Sequence, residues 1–299
     1  MSDLRISRAS ASKSRRGRPL GRKTLAIRDA VLELTAEYDV MTVRQVFYAL
    51  TVRGVVPKTE NGGYRPVQTQ VLKMRREGLL PWHFIADATR WQRKPQTWDS
   101  VDDALRDAQR TYRRNLWRSQ GIRLEVWLEK DALASIVSDV TGRWDVPLMV
   151  SRGTSSATFL YEAAQAARSA WVEGYVATRV LALYDHDAAG ARCFRTVEDG
   201  LRTYSGLGSL SWPQAELIAV TEEQISEWNL PTRPAKATDP EAHKFKGDAV
   251  ELDAIPPDKL TDLVESAIID LVDADAWEKE QAVEESERDL LGRIVGGAA

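Results

Sequence analysis

The spacing of apolar positions divides the chain into two parts with different patterns. Over residues 25–120 apolar side chains recur every three or four positions, which predicts helices separated by short irregular pieces. From Leu124 onward, short apolar runs alternate with helical stretches, a pattern typical of βαβ units and a mainly parallel sheet. The chain is therefore predicted to be an α/β protein with a helix-rich N-terminal domain.

Three short helices are predicted in the first part. They cover Leu25 to Tyr38, Thr42 to about Val52, and Pro66 to Arg76, with a turn at residues 61–63 before the third. Thr42 followed three residues later by Gln45 is a capping-box pattern, which marks the start of the second helix. Together with the apolar run at 79–85, these helices favour a winged helix-turn-helix whose third helix reads a DNA groove. A small helical domain with a basic face is the alternative.

Strand-like runs mark the second part. They are predicted at Leu124–Leu128, Pro147–Val150, Val180–Tyr184 and Glu216–Val220, with helices at 132–141, 156–171 and 190–201. A linking helix is predicted at 99–116, a surface loop at 229–246, and C-terminal helices at 258–273 and 274–291. The predicted domains are a disordered basic tail (1–24), the winged-helix domain (25–120), the sheet domain (121–257) and the C-terminal helices (258–299).

Charge is unevenly distributed along the chain. Residues 1–128 carry 25 basic and 13 acidic side chains, a net +12, whereas residues 129–299 carry 16 and 31, a net −15. A basic front half favours a polyanionic partner. In the tail, Arg15-Arg16-Gly17-Arg18-Pro19 resembles the core of an AT-hook, in which arginines enter a narrow A·T minor groove. A plain electrostatic tail is the alternative.

Composition narrows the class of protein. No apolar stretch approaches the roughly 18 residues that a membrane helix needs, and the first apolar run follows a basic stretch too long for a secretory signal. One cysteine, Cys193, and three histidines make an internal disulfide impossible and a zinc site improbable. We expect a cytoplasmic protein without a membrane partner.

Three acidic residues follow predicted strands directly. Glu129 follows the first strand, and Asp185 and Asp187 follow the third. Ligands of open α/β sheets bind outside the carboxyl ends of strands, so these carboxylates are expected at one edge. Converging carboxylates repel unless a positive charge lies between them, and a hard cation such as Mg²⁺ suits oxygen ligands. The alternatives are a solvated Asp-x-Asp turn and a receiver-like phosphoacceptor site.

These acids lie in motifs that resemble a known family. Leu128-Glu129-Lys130-Asp131 and Leu183-Tyr184-Asp185-His186-Asp187-Ala188-Ala189-Gly190 resemble the Toprim domain of topoisomerases, primases and some nucleases. The resemblance covers about residues 122–225 and implies Mg²⁺ bound by Glu129, Asp185 and Asp187. Residues 250–257 are similar to the segment after Toprim in type IIB topoisomerase (topoisomerase VI) A subunits, a family that includes the meiotic double-strand-break proteins. The chain departs from that family after Gly153, where Thr154-Ser155-Ser156 replaces the usual Pro and Thr-Arg.

The same family carries a catalytic tyrosine after Arg-x-aliphatic-aromatic, which Arg44-Gln45-Val46-Phe47-Tyr48 matches. The resemblance implies that Tyr48 attacks a DNA phosphate and forms a 5′-phosphotyrosyl link. Helical periodicity independently places Tyr48 about 140° from the apolar stripe, with Arg44 one turn before it. Arg44 is therefore expected to favour the phenolate. A purely structural Tyr48 is the alternative, and Tyr64 is a weaker candidate nucleophile.

The main hypothesis is an Mg²⁺-dependent DNA-cleaving transesterase similar to a minimal, stand-alone A subunit. Its catalytic residues would be Tyr48, Arg44 and Glu129, and its DNA contacts Arg15, Arg16, Arg18, Lys73, Arg75 and Arg76. The resemblance implies double-stranded DNA as partner, a homodimer and a nucleoid-associated location, and it allows a separate GHKL-type ATPase subunit. The alternatives are a Toprim nuclease that uses a metal-activated water, and a DNA-binding protein without catalytic activity.

Overall fold

The computed structural model describes residues 20–86, 96–208, 213–234, 245 and 247–297. Its strands are β1 (Ile122–Leu128), β2 (Leu148–Val150), β3 (Ala177–Leu183) and β4 (Gln214–Ala219). Its helices are α1 (Arg22–Glu37), α2 (Val43–Val52), α3 (Arg65–Arg76), α4 (Val101–Thr111), α5 (Trp117–Gln120), α6 (Ala134–Arg143), α7 (Ala157–Val172), α8 (Ala188–Ser205), α9 (Glu222–Glu227), α10 (Pro257–Ile269) and α11 (Ala274–Gly297).

The strands form a parallel sheet in the order β2-β1-β3-β4. In register, Val126 lies between Leu148 of β2 and Leu181 of β3. The chain runs outward from β1 in one direction and from β3 in the other, so β1 and β3 flank the topological switch point where ligands of open α/β sheets bind. The predicted α/β class and mainly parallel sheet are confirmed.

Both faces of the sheet are buried. Trp127, Ala182 and Tyr184 pack with α7 and α8 on one face. The other face belongs to a larger apolar core, which continues without a break into α1, α2 and α3 of the front part. β3 is covered on both faces, and its residues Val180–Leu183 form a continuous apolar run, as predicted.

The front part begins as the sequence predicts. The side chain of Thr42 accepts a hydrogen bond from the Gln45 backbone N–H, and the Gln45 side chain accepts one from the Thr42 backbone N–H, so the capping box is present. The turn predicted at 61–63 is instead one π-helical turn, Glu60–Tyr64, which leads directly into α3. Residues 79–85 end in a parallel bridge between Met41 and Ile85. The winged-helix assignment stays a prediction, and residues 87–95 lie outside the described part.

The predicted helix at 99–116 is shorter than expected. It begins after Ser100, whose side chain accepts a hydrogen bond from the Asp103 backbone N–H, and it ends at Thr111. The residues that follow have no regular structure and contact α11. Tyr112 donates a hydrogen bond to Glu287 (2.6 Å), and the Arg114 guanidinium pairs with Glu287 and Glu280. These partners lie some 170 positions further along the chain, so helical periodicity could not reveal them.

Within the described residues, the structure contains no helix with the length and apolar character required to cross a membrane.

Candidate active site at the switch point of the sheet

The three predicted acids lie at the carboxyl ends of β1 and β3. Glu129 follows β1, and its Oε2 accepts a hydrogen bond from the Asp185 backbone N–H (3.0 Å) after β3. Asp187 caps α8, since its Oδ1 accepts a hydrogen bond from the Gly190 backbone N–H (2.9 Å). A side chain at Gly190 would collide with the backbone of Asp185, so only glycine permits this tight turn. The structure therefore brings the three acids to one edge.

A later segment adds two acids that the sequence analysis did not assign to the site. Val250 pairs with His186 in an antiparallel bridge, and the Leu252 backbone N–H donates a hydrogen bond to Asp185 Oδ1 (2.8 Å). These bonds bring Glu251 and Asp253 to the same edge. In the sequence, these two acids were marked by the similarity of residues 250–257 to the segment that follows Toprim in type IIB topoisomerase A subunits. That similarity assigned no role to either residue.

The basic side chain of Lys130 lies among these carboxylates. Lys130 Nζ is 3.0 Å from Asp185, 3.3 Å from Glu251 and 2.7 Å from Asp253. Burial alone would lower the pKa of Lys130, but the three carboxylates raise it well above its usual value, so Lys130 stays charged.

Arg233 provides the second cation. Its Nη2 is 3.3 Å from Asp187, and its Nε is 3.6 Å from Glu251. Arg233 was not predicted because it lies in a segment expected to be a surface loop, where no local pattern marks it.

The ion pairs of Lys130 and Arg233 weaken the prediction that a metal must lie between the acids. Lys130 and Arg233 already offset part of the repulsion, and no group of three candidate ligands lies close enough to bind a metal among the residues that the structure describes. The donors still suit a hard cation chemically, because Glu129, Asp185 and Asp187 supply carboxylate oxygens at one edge. Such a cation would compete with Lys130 for Asp185 and with Arg233 for Asp187.

The protonation of Glu129 reflects this crowding. Burial raises its pKa to about 7, and the charge of Asp185 adds to the rise. A hydrogen bond from the Asp185 backbone N–H and the charge of Lys130 oppose it. Glu129 therefore changes its charge near neutral pH, where a bound cation would favour the ionised form.

Tyr48 on α2 reaches this edge. Only 3% of its surface is exposed, and its hydroxyl lies close enough to the Glu251 carboxylate for the two groups to interact. Lys58 Nζ lies 5.5 Å from the centre of its ring. Tyr48 belongs to the same buried core as Val46, Phe47 and Leu50, so its orientation away from that stripe stays a prediction, and residues 252–254 pack against α2.

The charge of Arg44 favours the Tyr48 phenolate, as expected, but other effects outweigh it. Burial raises the pKa of Tyr48 well above its usual value, and the charge of Glu251 raises it further. Lys130 and Arg44 only partly oppose these effects. Arg44 instead pairs with Glu251 (3.1 Å), and its guanidinium lies 5.1 Å from the centre of the Tyr64 ring. Tyr64, the weaker candidate nucleophile, thus also has Arg44 as a neighbour.

A cavity of about 190 Å³ lies beside Tyr48. It is bounded by α2, by residues 228–231 and by residues 253–256. Tyr48 and Asp253 both form part of its wall, so there is open space next to the tyrosine.

The predicted DNA contacts fall into two groups. Lys73 and Arg76 are exposed in the last turn of α3, and the Arg75 guanidinium lies 4.2 Å from the centre of the Trp82 ring. Arg15, Arg16 and Arg18 lie outside the described residues.

Comparison with family models, with curated proteins and with solved structures finds no match. The resemblance to Toprim proteins and to type IIB topoisomerase A subunits therefore rests on the motifs around Tyr48, Glu129 and Asp185, together with the sheet that carries the acids.

Stability is expected to depend on the protonation of Glu129. The folded chain holds this proton between about pH 4.5 and 7, where the unfolded chain has released it, so the free energy of unfolding falls as pH rises through that range. Glu129→Gln keeps an acceptor for the Asp185 N–H and removes the titration. We expect it to raise the free energy of unfolding by about 1–2 kcal/mol at pH 8 and to have little effect at pH 4.5, after allowance for solvent screening.

Urea denaturation without divalent cations measures this difference, with the exposed Glu173→Gln as control. Equal pH dependence in wild type and Glu129→Gln would contradict the assignment.

Proposed function

We propose that the chain cleaves double-stranded DNA by Mg²⁺-dependent tyrosine transesterification, in the manner of a type IIB topoisomerase A subunit. One observation carries the proposal: the phenol of Tyr48 meets the carboxylate edge of the sheet within a single chain, through Glu251 and Lys130. A phenol that packed only inside its own helical module would have no route to that edge.

In the proposed reaction, Tyr48 Oη forms a bond to a backbone phosphorus as the bond from phosphorus to the 3′ oxygen breaks. The product is a 5′-phosphotyrosyl link and a free 3′ hydroxyl, with the phenol proton released to solvent and the 3′ oxygen protonated by water. Mg²⁺ held by Glu129, Asp185 and Asp187 would stabilise negative charge on the reacting phosphate.

Activation requires that Tyr48 leave Glu251. In the structure the phenol of Tyr48 is buried and protonated, and Arg44 pairs with Glu251. A DNA phosphate is an anion and can take the place of Glu251 beside Arg44, which is 42% exposed. The same displacement frees Tyr48 from the carboxylate that raises its pKa, and it places the guanidinium beside both phosphate and phenol.

The remaining partners follow from the same proposal. Two chains, each cutting one strand, would make a double-strand break, so we propose a homodimer. A separate GHKL-type ATPase is needed only if the cut serves strand passage. Lys73, Arg75 and Arg76 are proposed to contact phosphates of the duplex.

The test is cleavage of supercoiled plasmid with Mg²⁺, followed by denaturation and analysis of the ends. The expected product is broken DNA with protein covalently attached to the 5′ ends. Cuts with free 5′ phosphates throughout would contradict the transesterase, and salt-sensitive binding without any cutting would indicate a DNA-binding protein.

A metal-dependent nuclease is the second candidate, and the burial of the Tyr48 phenol favours it. A phenol that is 3% exposed and whose pKa is raised is a poor nucleophile, whereas a metal-activated water does not need it. In that mechanism Tyr48 has only a structural role, and Glu129→Ala abolishes cutting while Tyr48→Phe leaves it unchanged.

A further inference from the structure

An exposed tryptophan lies beside the predicted DNA-reading helix. Trp82 is 59% exposed, although Leu79, Leu80, Phe84 and Ile85 around it are buried. Large aromatic side chains supply much of the apolar surface that proteins bury in cores and interfaces. The exposed indole of this otherwise buried segment therefore offers apolar surface to a binding partner.

The backbone holds Trp82 in a fixed position. The Met41 backbone N–H donates to the Phe84 carbonyl (2.9 Å), and the Ala86 N–H donates to the Met41 carbonyl (3.0 Å). Trp82 begins a short 3₁₀ turn directly after Pro81. Binding would thus require little ordering of this segment.

One cation is already in place against the indole. The Arg75 guanidinium carbon lies 4.2 Å from the centre of the Trp82 ring, and Arg75 Nη2 donates a hydrogen bond to the Trp82 carbonyl (3.0 Å). This cation–π contact orients the ring and adds positive charge over one of its faces, which leaves the opposite face for a base.

The charge around Trp82 suits a polyanion. Lys73 and Arg76 are exposed on the same last turn of α3. Glu77, which directly follows Arg76, does not offset this charge because both of its oxygens pair with the buried Arg28 (2.7 and 3.1 Å). An aromatic face among cations is the arrangement with which proteins bind unpaired nucleic-acid strands.

We propose that Trp82 stacks on an unpaired base of single-stranded DNA, while Lys73 and Arg76 bind the phosphates on either side. The inference rests on the proposed DNA function and adds to it a preference for frayed or single-stranded segments. Bases in a duplex stack on one another and leave no face for the indole, so Trp82 can stack only where the strands are separated.

The experiment measures binding of a fluorescently labelled single-stranded oligonucleotide and the matching duplex over a series of salt concentrations, without divalent cations. Trp82→Ala is expected to weaken single-strand binding about 5- to 100-fold, to leave duplex binding nearly unchanged, and to keep the slope of log K against log salt. Trp82→Phe should retain most of the affinity. Lys73→Ala should instead reduce the slope by about 1 for both forms of DNA.

Trp171→Ala is the matched control, since Trp171 is 42% exposed on α7 and lies outside the basic cluster. Unchanged single-strand affinity in Trp82→Ala, or an equal loss of affinity for duplex and single strand, would overturn the proposed stacking by Trp82. Either result would leave the proposed cleavage reaction intact. If wild type binds neither form of DNA, both the proposed stacking and the proposed function fail.

Discussion

Tyr48→Phe is expected to abolish covalent attachment of the protein to DNA and to lower the yield of cut plasmid by at least about 10³-fold. The substitution removes one oxygen atom, the one that would form the bond to phosphorus, and leaves the ring and its contacts with Phe47 and Lys58 in place. The lost oxygen also ends the interaction with Glu251, which retains its ion pairs with Arg44 and Lys130. The fold should therefore survive, and a gel that retains protein-linked fragments measures the loss.

Tyr64→Phe is the control for this substitution. Tyr64 packs edge-on against Phe47 (5.6 Å) and beneath the Arg44 guanidinium, so its phenol shares much of the same surroundings. Its loss is expected to leave the protein–DNA link intact. Cutting by Tyr48→Phe at the wild-type rate would refute a nucleophilic Tyr48, and loss of the link in Tyr64→Phe alone would move the nucleophile to Tyr64.

Lys130→Met is expected to lower the free energy of unfolding by about 3–5 kcal/mol. Lys130 neutralises Asp185, Glu251 and Asp253, and the side chain of Asp253 is fully buried. Methionine has a similar length and no charge, so it leaves these carboxylates near one another without their shared partner. A loss of this size is a large fraction of the stability of an ordinary domain. Chemical denaturation in buffer free of divalent cations measures it, because a bound cation would replace the missing charge.

Arg143→Met provides the comparison. Arg143 pairs with Glu265 at 3.1 Å, a distance similar to those of Lys130, but the two side chains are 61% and 31% exposed. Water already screens that pair, so the expected cost is below about 1 kcal/mol. Equal effects of the two substitutions would show that Lys130 is not an essential counter-ion of the acidic edge.

The positions of the acids could be predicted because they follow from a rule about sheets. Parallel strands end at a common edge, so Glu129 and Asp185 were expected together as soon as the two apolar runs were recognised. The start of α2 was equally accessible, because the bonds between Thr42 and Gln45 are local. In both cases a short stretch of sequence contains the cause of the structure.

The partners of these residues could not be predicted in the same way. Arg233 reaches Asp187 from 46 positions away, and Glu251 reaches Arg44 from 207 positions away. Periodicity could not show that residues 252–254 pack against α2. For that reason the sequence predicted the direction of the effect of Arg44 on the pKa of Tyr48 but missed the larger opposing effects of burial and Glu251.

The apolar core that passes from α1, α2 and α3 into one face of the sheet has a thermodynamic consequence. Two modules separated by a hydrated boundary melt in separate steps, but modules that share their interior must lose it together. Calorimetry of this chain should record one cooperative heat-absorption peak for the helices that carry Tyr48 and the strands that carry Glu129 and Asp185.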